Sequence, residues 1–116
     1  MLLISQTLTS LLIIASAFSY SCGIFDRKSF DAVAWRVNGQ RERGRMVRDL
    51  KVSKIINDKT RVEVIEMLGT PDSETEQTVT YLVDVGHKFG SNPWLYNFSV
   101  IFDTTTNRVQ GSILDD

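Results

Sequence analysis

His87 is the chain's only histidine, and Asp84 stands three residues before it. A histidine with a nearby carboxylate is the minimal start of acid–base chemistry. Their spacing supplies no nucleophile, no third orienting group and no oxyanion site. The reading is therefore a solvated loop histidine and no catalytic residue. Cys22 is the only cysteine, so it forms no internal disulfide. No Cys/His or His/carboxylate cluster has zinc-ligand spacing. Asp72, Glu74 and Glu76 alternate in a polar stretch, but they lack the glycine and terminal glutamate of a calcium loop. No metal and no cofactor is expected.

Charge is distributed more tellingly than it is summed. The formal net charge of −1 gives no pointer to a nucleic-acid partner. Yet residues 26–54 hold nine basic and four acidic side chains, and the remainder holds four basic and ten acidic. Arg41, Arg45 and Arg48 recur at i, i+4 and i+7, which places them on one side of a helix. Such a face suits an anionic lipid surface, at about 1 kcal/mol per well-placed cation. It is equally the wet side of an ordinary helix, with Glu42 and Asp49 as partners. The turn-rich loop at residues 86–94 carries Phe89 and Trp94, where an aromatic either anchors a partner or folds back over a sheet. Trp94 also begins the apolar face of a strand, which favours packing.

The elements that position these residues start with residues 60–71, TRVEVIEMLGTP. Thr60 and Glu63 form a capping box. Val62, Val64, Ile65, Met67 and Leu68 supply an apolar stripe. Gly69 turns the chain out of the helix, and Pro71 forbids its continuation. Residues 41–56 read as a preceding helix with Met46, Val47 and Leu50 inward, although Gly44 costs about 1 kcal/mol against Ala. Residues 57–59 break the two into a helical hairpin. The period then changes to two. Residues 78–85 alternate through Val79, Tyr81, Val83 and Val85. Residues 86–93 form a loop, and residues 94–103 alternate through Trp94, Tyr96, Phe98, Val100 and Phe102. A turn at 104–107 leads to a strand at 108–114, where Gly111 marks a bulge or a close backbone approach. The expected fold is α+β: two N-terminal helices packed on a three-stranded antiparallel sheet, ααβββ, in two layers.

The first 25 residues contain no charged side chain, and residues 11–18 form an apolar centre. Small residues and Cys22 follow, as in an export signal. The chain divides into residues 1–22 as signal segment, 23–40 as tether or docking segment, and 41–116 as folded domain. Within 23–40, a helical turn is expected at residues 29–34, and Trp35 is a packing residue.

The position of Cys22 at the end of an apolar run resembles a bacterial lipoprotein signal, in which the cysteine is lipidated. The element order, the helix stop Leu68-Gly69-Thr70-Pro71, the strand opening Trp94-Leu95-Tyr96 and the strand end Phe102-Asp103 resemble the SmpA/OmlA, or BamE-like, family of small outer-membrane lipoproteins. The resemblance covers about residues 45–114. It implies two helices on a three-stranded sheet, lipidation at Cys22, and a periplasm-facing outer-membrane location. It also implies a non-catalytic binding or scaffold role among envelope proteins, in outer-membrane protein assembly or envelope integrity. The helix-pair-on-sheet pattern also resembles the repeats of β-lactamase inhibitory proteins, which implies an exported inhibitor instead.

Overall fold

The computed structural model describes residues 23–87, 90 and 92–116. Cys22 and Phe89 lie outside the described residues. In chain order the elements are β1 (Gly23–Ile24), α1 (Ala32–Val37), α2 (Gln40–Ser53), α3 (Arg61–Leu68), β2 (Ser73–Glu74), β3 (Thr78–His87), β4 (Pro93–Phe102) and β5 (Val109–Asp115).

The helix boundaries follow from local capping chemistry. Asp31 accepts the Ala34 N–H at 3.0 Å, which starts α1 after it rather than at residue 29. Trp35 within α1 is fully buried. Helix α2 stops at Ser53 because Lys54 turns left-handed at φ 58°, three residues earlier than the apolar pattern extends. At α3 the capping box forms in both directions. The Glu63 N–H donates to Thr60 Oγ1 at 3.3 Å, and the Thr60 N–H donates to Glu63 Oε1 at 2.9 Å. Such a cap contributes about 1 kcal/mol. Glu63 consequently sits below the ordinary carboxylate range, held first by the Thr60 backbone N–H. The helix ends at Gly69, whose φ of 83° suits glycine. Val64 and Leu68 are buried with i, i+4 spacing, while Val62 is 62% exposed. The inward stripe of α3 is therefore narrower than the run of apolar residues in its sequence.

The sheet is antiparallel throughout, in the order β1-β3-β4-β5, with β2 also pairing on β3. Val79 pairs with Val100, Tyr81 with Phe98 and Val83 with Tyr96, which puts the alternating apolar residues of both long strands on one face. Opposite Ile101 and Phe102 the register shifts. This is the bulge beside Gly111; nothing stands within 4 Å of a Cβ placed there, so no close approach is involved. The long strands extend further into the expected 86–93 loop, since β3 runs to His87 and β4 begins at Pro93.

The helices cover the apolar face. Met46, Val47 and Leu50 from α2, Val64 and Leu68 from α3, and Trp35 from α1 join Val79, Tyr81, Val83, Phe98 and Val100 in one core. Trp35 meets Tyr81 at 6.1 Å and Phe98 at 6.2 Å, both edge-on. The Tyr81 hydroxyl donates to the Gly69 carbonyl at 2.8 Å, tying the end of α3 to the sheet. Gly44 sits where α2 crosses β3, and a Cβ there would run into the Asp84 carbonyl and the Val85 nitrogen. The glycine that weakens α2 as an isolated helix thus permits its contact with the sheet.

The α+β class and antiparallel sheet are as expected, and the layout is richer than ααβββ. A third helix, α1, and the two-residue strands β1 and β2 are added. The physical reason is Trp35. Its large ring has no comparable burial outside the core, so the segment that carries it folds in. The opposite sheet face stays open, with Leu95 and Ile113 exposed.

Candidate binding surfaces

Residues 23–30 lie along one flank of α2. Gly23 pairs with His87 and Ile24 with Gly86, and the Phe25 N–H donates to the Val85 carbonyl at 2.9 Å. Gly86 has no side chain because a Cβ there would strike the Gly23 carbonyl. Further along, the Lys28 N–H donates to the Arg45 carbonyl at 2.8 Å. The Phe30 N–H donates to Asp49 Oδ2 at 2.7 Å.

This flank is the one that carries the three arginines, and the structure gives them different surroundings. Arg41 lies over the Phe25 ring at 4.4 Å, a cation–π contact. Arg45 donates through Nε to the Asp26 carbonyl at 3.1 Å and pairs with Glu42 at 3.1 Å. Lys28 joins the same Glu42 at 3.2 Å. These two partners, Arg45 foremost, hold the Glu42 carboxyl below its ordinary range. Arg48 lines an open pocket of about 300 Å³ with Arg27, Lys28, Ser29, Asp49 and Val52.

Arg43, one residue off this line, points inward. Its Nε donates to the Trp35 carbonyl at 2.8 Å, and its guanidinium stands 5.6 Å from the Trp35 ring. The i, i+4, i+7 spacing separates it correctly from the other three, but the sequence carries no sign of its partner eight residues earlier.

The remaining candidates are placed as follows. His87 is the last residue of β3 and stacks edge-on against Phe25 at 5.0 Å; it is a half-buried strand residue rather than a solvated loop one. Asp84 Oδ1 accepts the Gly86 N–H at 3.2 Å and the Trp94 N–H at 3.0 Å, which braces the irregular pairing between Asp84 and His87. Trp94 is half-buried and packs against Tyr96 at 6.2 Å.

The acidic connection is tied down rather than merely solvated. Asp72 Oδ2 accepts the Leu82 N–H at 2.7 Å, capping the stretch of β3 between β1 and β2. Arg61 pairs with Glu74 at 3.0 Å and donates to the Thr75 and Glu76 carbonyls at 2.5 and 2.8 Å. Sequence reading missed Arg61; the only signal was an arginine beside the cap of α3 and an acidic stretch 13 residues later.

Among the described residues, no group of three His, Cys, Asp or Glu side chains is arranged to hold a metal. No described helix is long and apolar enough to cross a membrane.

The open sheet face has its own pattern. Thr80 pairs with Ser99, and their hydroxyls are 2.9 Å apart. Ser99 pairs in turn with Ile113. Leu82 and Leu95 lie toward one end of the strands from this polar row, Ile101 lies toward the other, and Ile113 continues the row on β5. Sets of this kind are set by register and twofold alternation.

Compared with models of protein families, with curated proteins and with solved structures, the chain gives no match.

Proposed function

We propose that this chain is an envelope lipoprotein that acts by binding, as a non-catalytic scaffold or accessory protein. In its specific form the reading is a BamE-like protein of the SmpA/OmlA kind, lipidated at Cys22, held at the outer membrane facing the periplasm, and serving outer-membrane protein assembly or envelope integrity. The observation that carries the binding role is the open sheet face. Leu82, Leu95, Ile101 and Ile113 surround a hydroxyl-rich centre on a rigid, hydrogen-bonded surface, a mixed apolar and polar pattern suited to another protein. The α+β class and the antiparallel sheet covered by helices on one face support this reading. Cys22 immediately precedes β1 in the sequence, and β1 pairs with the end of β3 at Gly86 and His87, so a lipid anchor there would hold that end of the sheet toward the bilayer.

The test is Cys22→Ser in the full chain. The expected result is loss of acyl labelling and release of the protein from the membrane fraction. Equal labelling and membrane recovery for wild type and variant would overturn the lipoprotein reading. A second reading, an exported inhibitor using the same open face, is favoured if that face captures one soluble enzyme and no barrel-assembly component. Replacing Leu95 and Ile113 with Ser would then relieve inhibition of that enzyme.

A further inference from the structure

The pocket on the α2 flank exists only because residues 25–30 lie against the helix. Arg27, Lys28 and Ser29 come from that segment, and Arg48, Asp49 and Val52 come from α2. Three cations therefore surround one opening of about 300 Å³. Their electrostatic states differ. Lys28 is shared with Glu42. Arg27 and Arg48 have no hydrogen-bond or ion-pair partner among the described residues, although Arg48 is half-buried. The single carboxylate in the lining, Asp49, already accepts the Phe30 N–H through Oδ2. The site is thus net positive, with two guanidinium groups available.

We propose that this pocket binds a phosphate ester. Guanidinium groups present planar pairs of N–H donors that match phosphate oxygens. Ser29 can add a hydroxyl donor and Lys28 a third charge. Val52, 77% exposed, offers an apolar contact beside the cations, which suits the organic part of an ester better than a bare ion. The phosphate can belong to a soluble ester or to a phospholipid headgroup; the recognition chemistry is the same. Arg41 and Arg45 are outside the pocket and position the segment that forms it. The site does not depend on an anchor at Cys22, so its failure and the failure of the lipoprotein reading are separate results.

The experiment uses the full chain in a nonionic detergent, observed by nuclear magnetic resonance at constant ionic strength. Glycerol 3-phosphate is the soluble probe, sodium chloride the blank, and micelles doped with phosphatidylglycerol the lipid probe. Saturable shifts confined to Arg27, Lys28, Ser29 and Arg48 are expected. Arg27→Gln and Arg48→Gln should each weaken binding by about tenfold or more, since hydrogen bonds to charged groups are the stronger class. Lys54→Gln, which removes the same charge outside the pocket, should leave affinity unchanged. Arg48→Lys keeps the charge without the fork and should fall between, which protects the test against a Gln variant that disturbs the fold. Response to glycerol 3-phosphate establishes a soluble-ester site. Response to the doped micelles alone, with the same dependence on Arg27 and Arg48, assigns the site to a headgroup. Absence of saturable shifts with both probes overturns the proposal. Equal weakening by Lys54→Gln and Arg48→Gln also overturns it, because the effect would be diffuse charge.

Discussion

Replacing Gly44 with alanine should destabilise the protein, against the ordinary rule for helices. In a helix interior the change from Gly to Ala contributes about 1 kcal/mol of stability. Here the new methyl would occupy space held by the Asp84 carbonyl group and the Val85 nitrogen. Those are backbone atoms of a paired strand, so no side-chain rotation makes room. Helix α2 has to move outward, which loosens Met46, Val47 and Leu50 against Tyr81 and Val83. Overpacking of this kind costs about 1–3 kcal/mol, and rigid neighbours push it toward the upper end. The net expectation is a loss of about 1–2 kcal/mol. With urea slopes of about 1–3 kcal/mol/M for small domains, the unfolding midpoint should fall by about 1 M. Gly111→Ala is the control, since nothing lies within 4 Å of its added methyl, and it should stay within about 0.5 kcal/mol of wild type. A Gly44→Ala midpoint at or above that of wild type would refute the close crossing of α2 over β3.

Two further outcomes test the core. Leu68→Ala should cost about 2–5 kcal/mol because the side chain is fully buried, whereas Val62→Ala should cost about 0.5 kcal/mol or less on its exposed face. Equal urea midpoints for the two variants would place the inward face of α3 elsewhere. Tyr81 has its hydroxyl pKa pushed well above the ordinary tyrosine value by burial. The folded state therefore keeps a proton that the unfolded chain releases above about pH 10. Tyr81's contribution is complete below that pH and is lost as pH rises further. Alkaline urea melts should show this decline, and Tyr81→Phe should reduce its slope; an unchanged slope in the variant would contradict the buried hydroxyl.

Much of the framework is legible in the chain because its causes are local. Thr60 and Glu63 reach each other across three residues, so the start of α3 is written in a short motif. Twofold alternation in β3 and β4 needs no knowledge of the partner strand. Arg41, Arg45 and Arg48 fall on one flank of α2 by helix geometry alone. Their surroundings were not legible, because they depend on a segment 16 to 21 residues earlier that lacks periodicity of its own.

By itself, then, the sequence determined the helix caps, the change from helix to strand period, the α+β class and the segregation of basic from acidic residues. Each depends on residue type and short spacing. Tertiary structure alone decided that Trp35 brings α1 into the core, that Gly44 marks the crossing of α2 over β3, and that Arg61 holds the acidic connection. It also decided that Arg27 and Arg48 face one pocket. Those facts depend on which backbone and side-chain atoms meet between residues 13 to 63 positions apart in the chain. Such meetings are set by packing the whole core at once, not by any local preference of the residues involved.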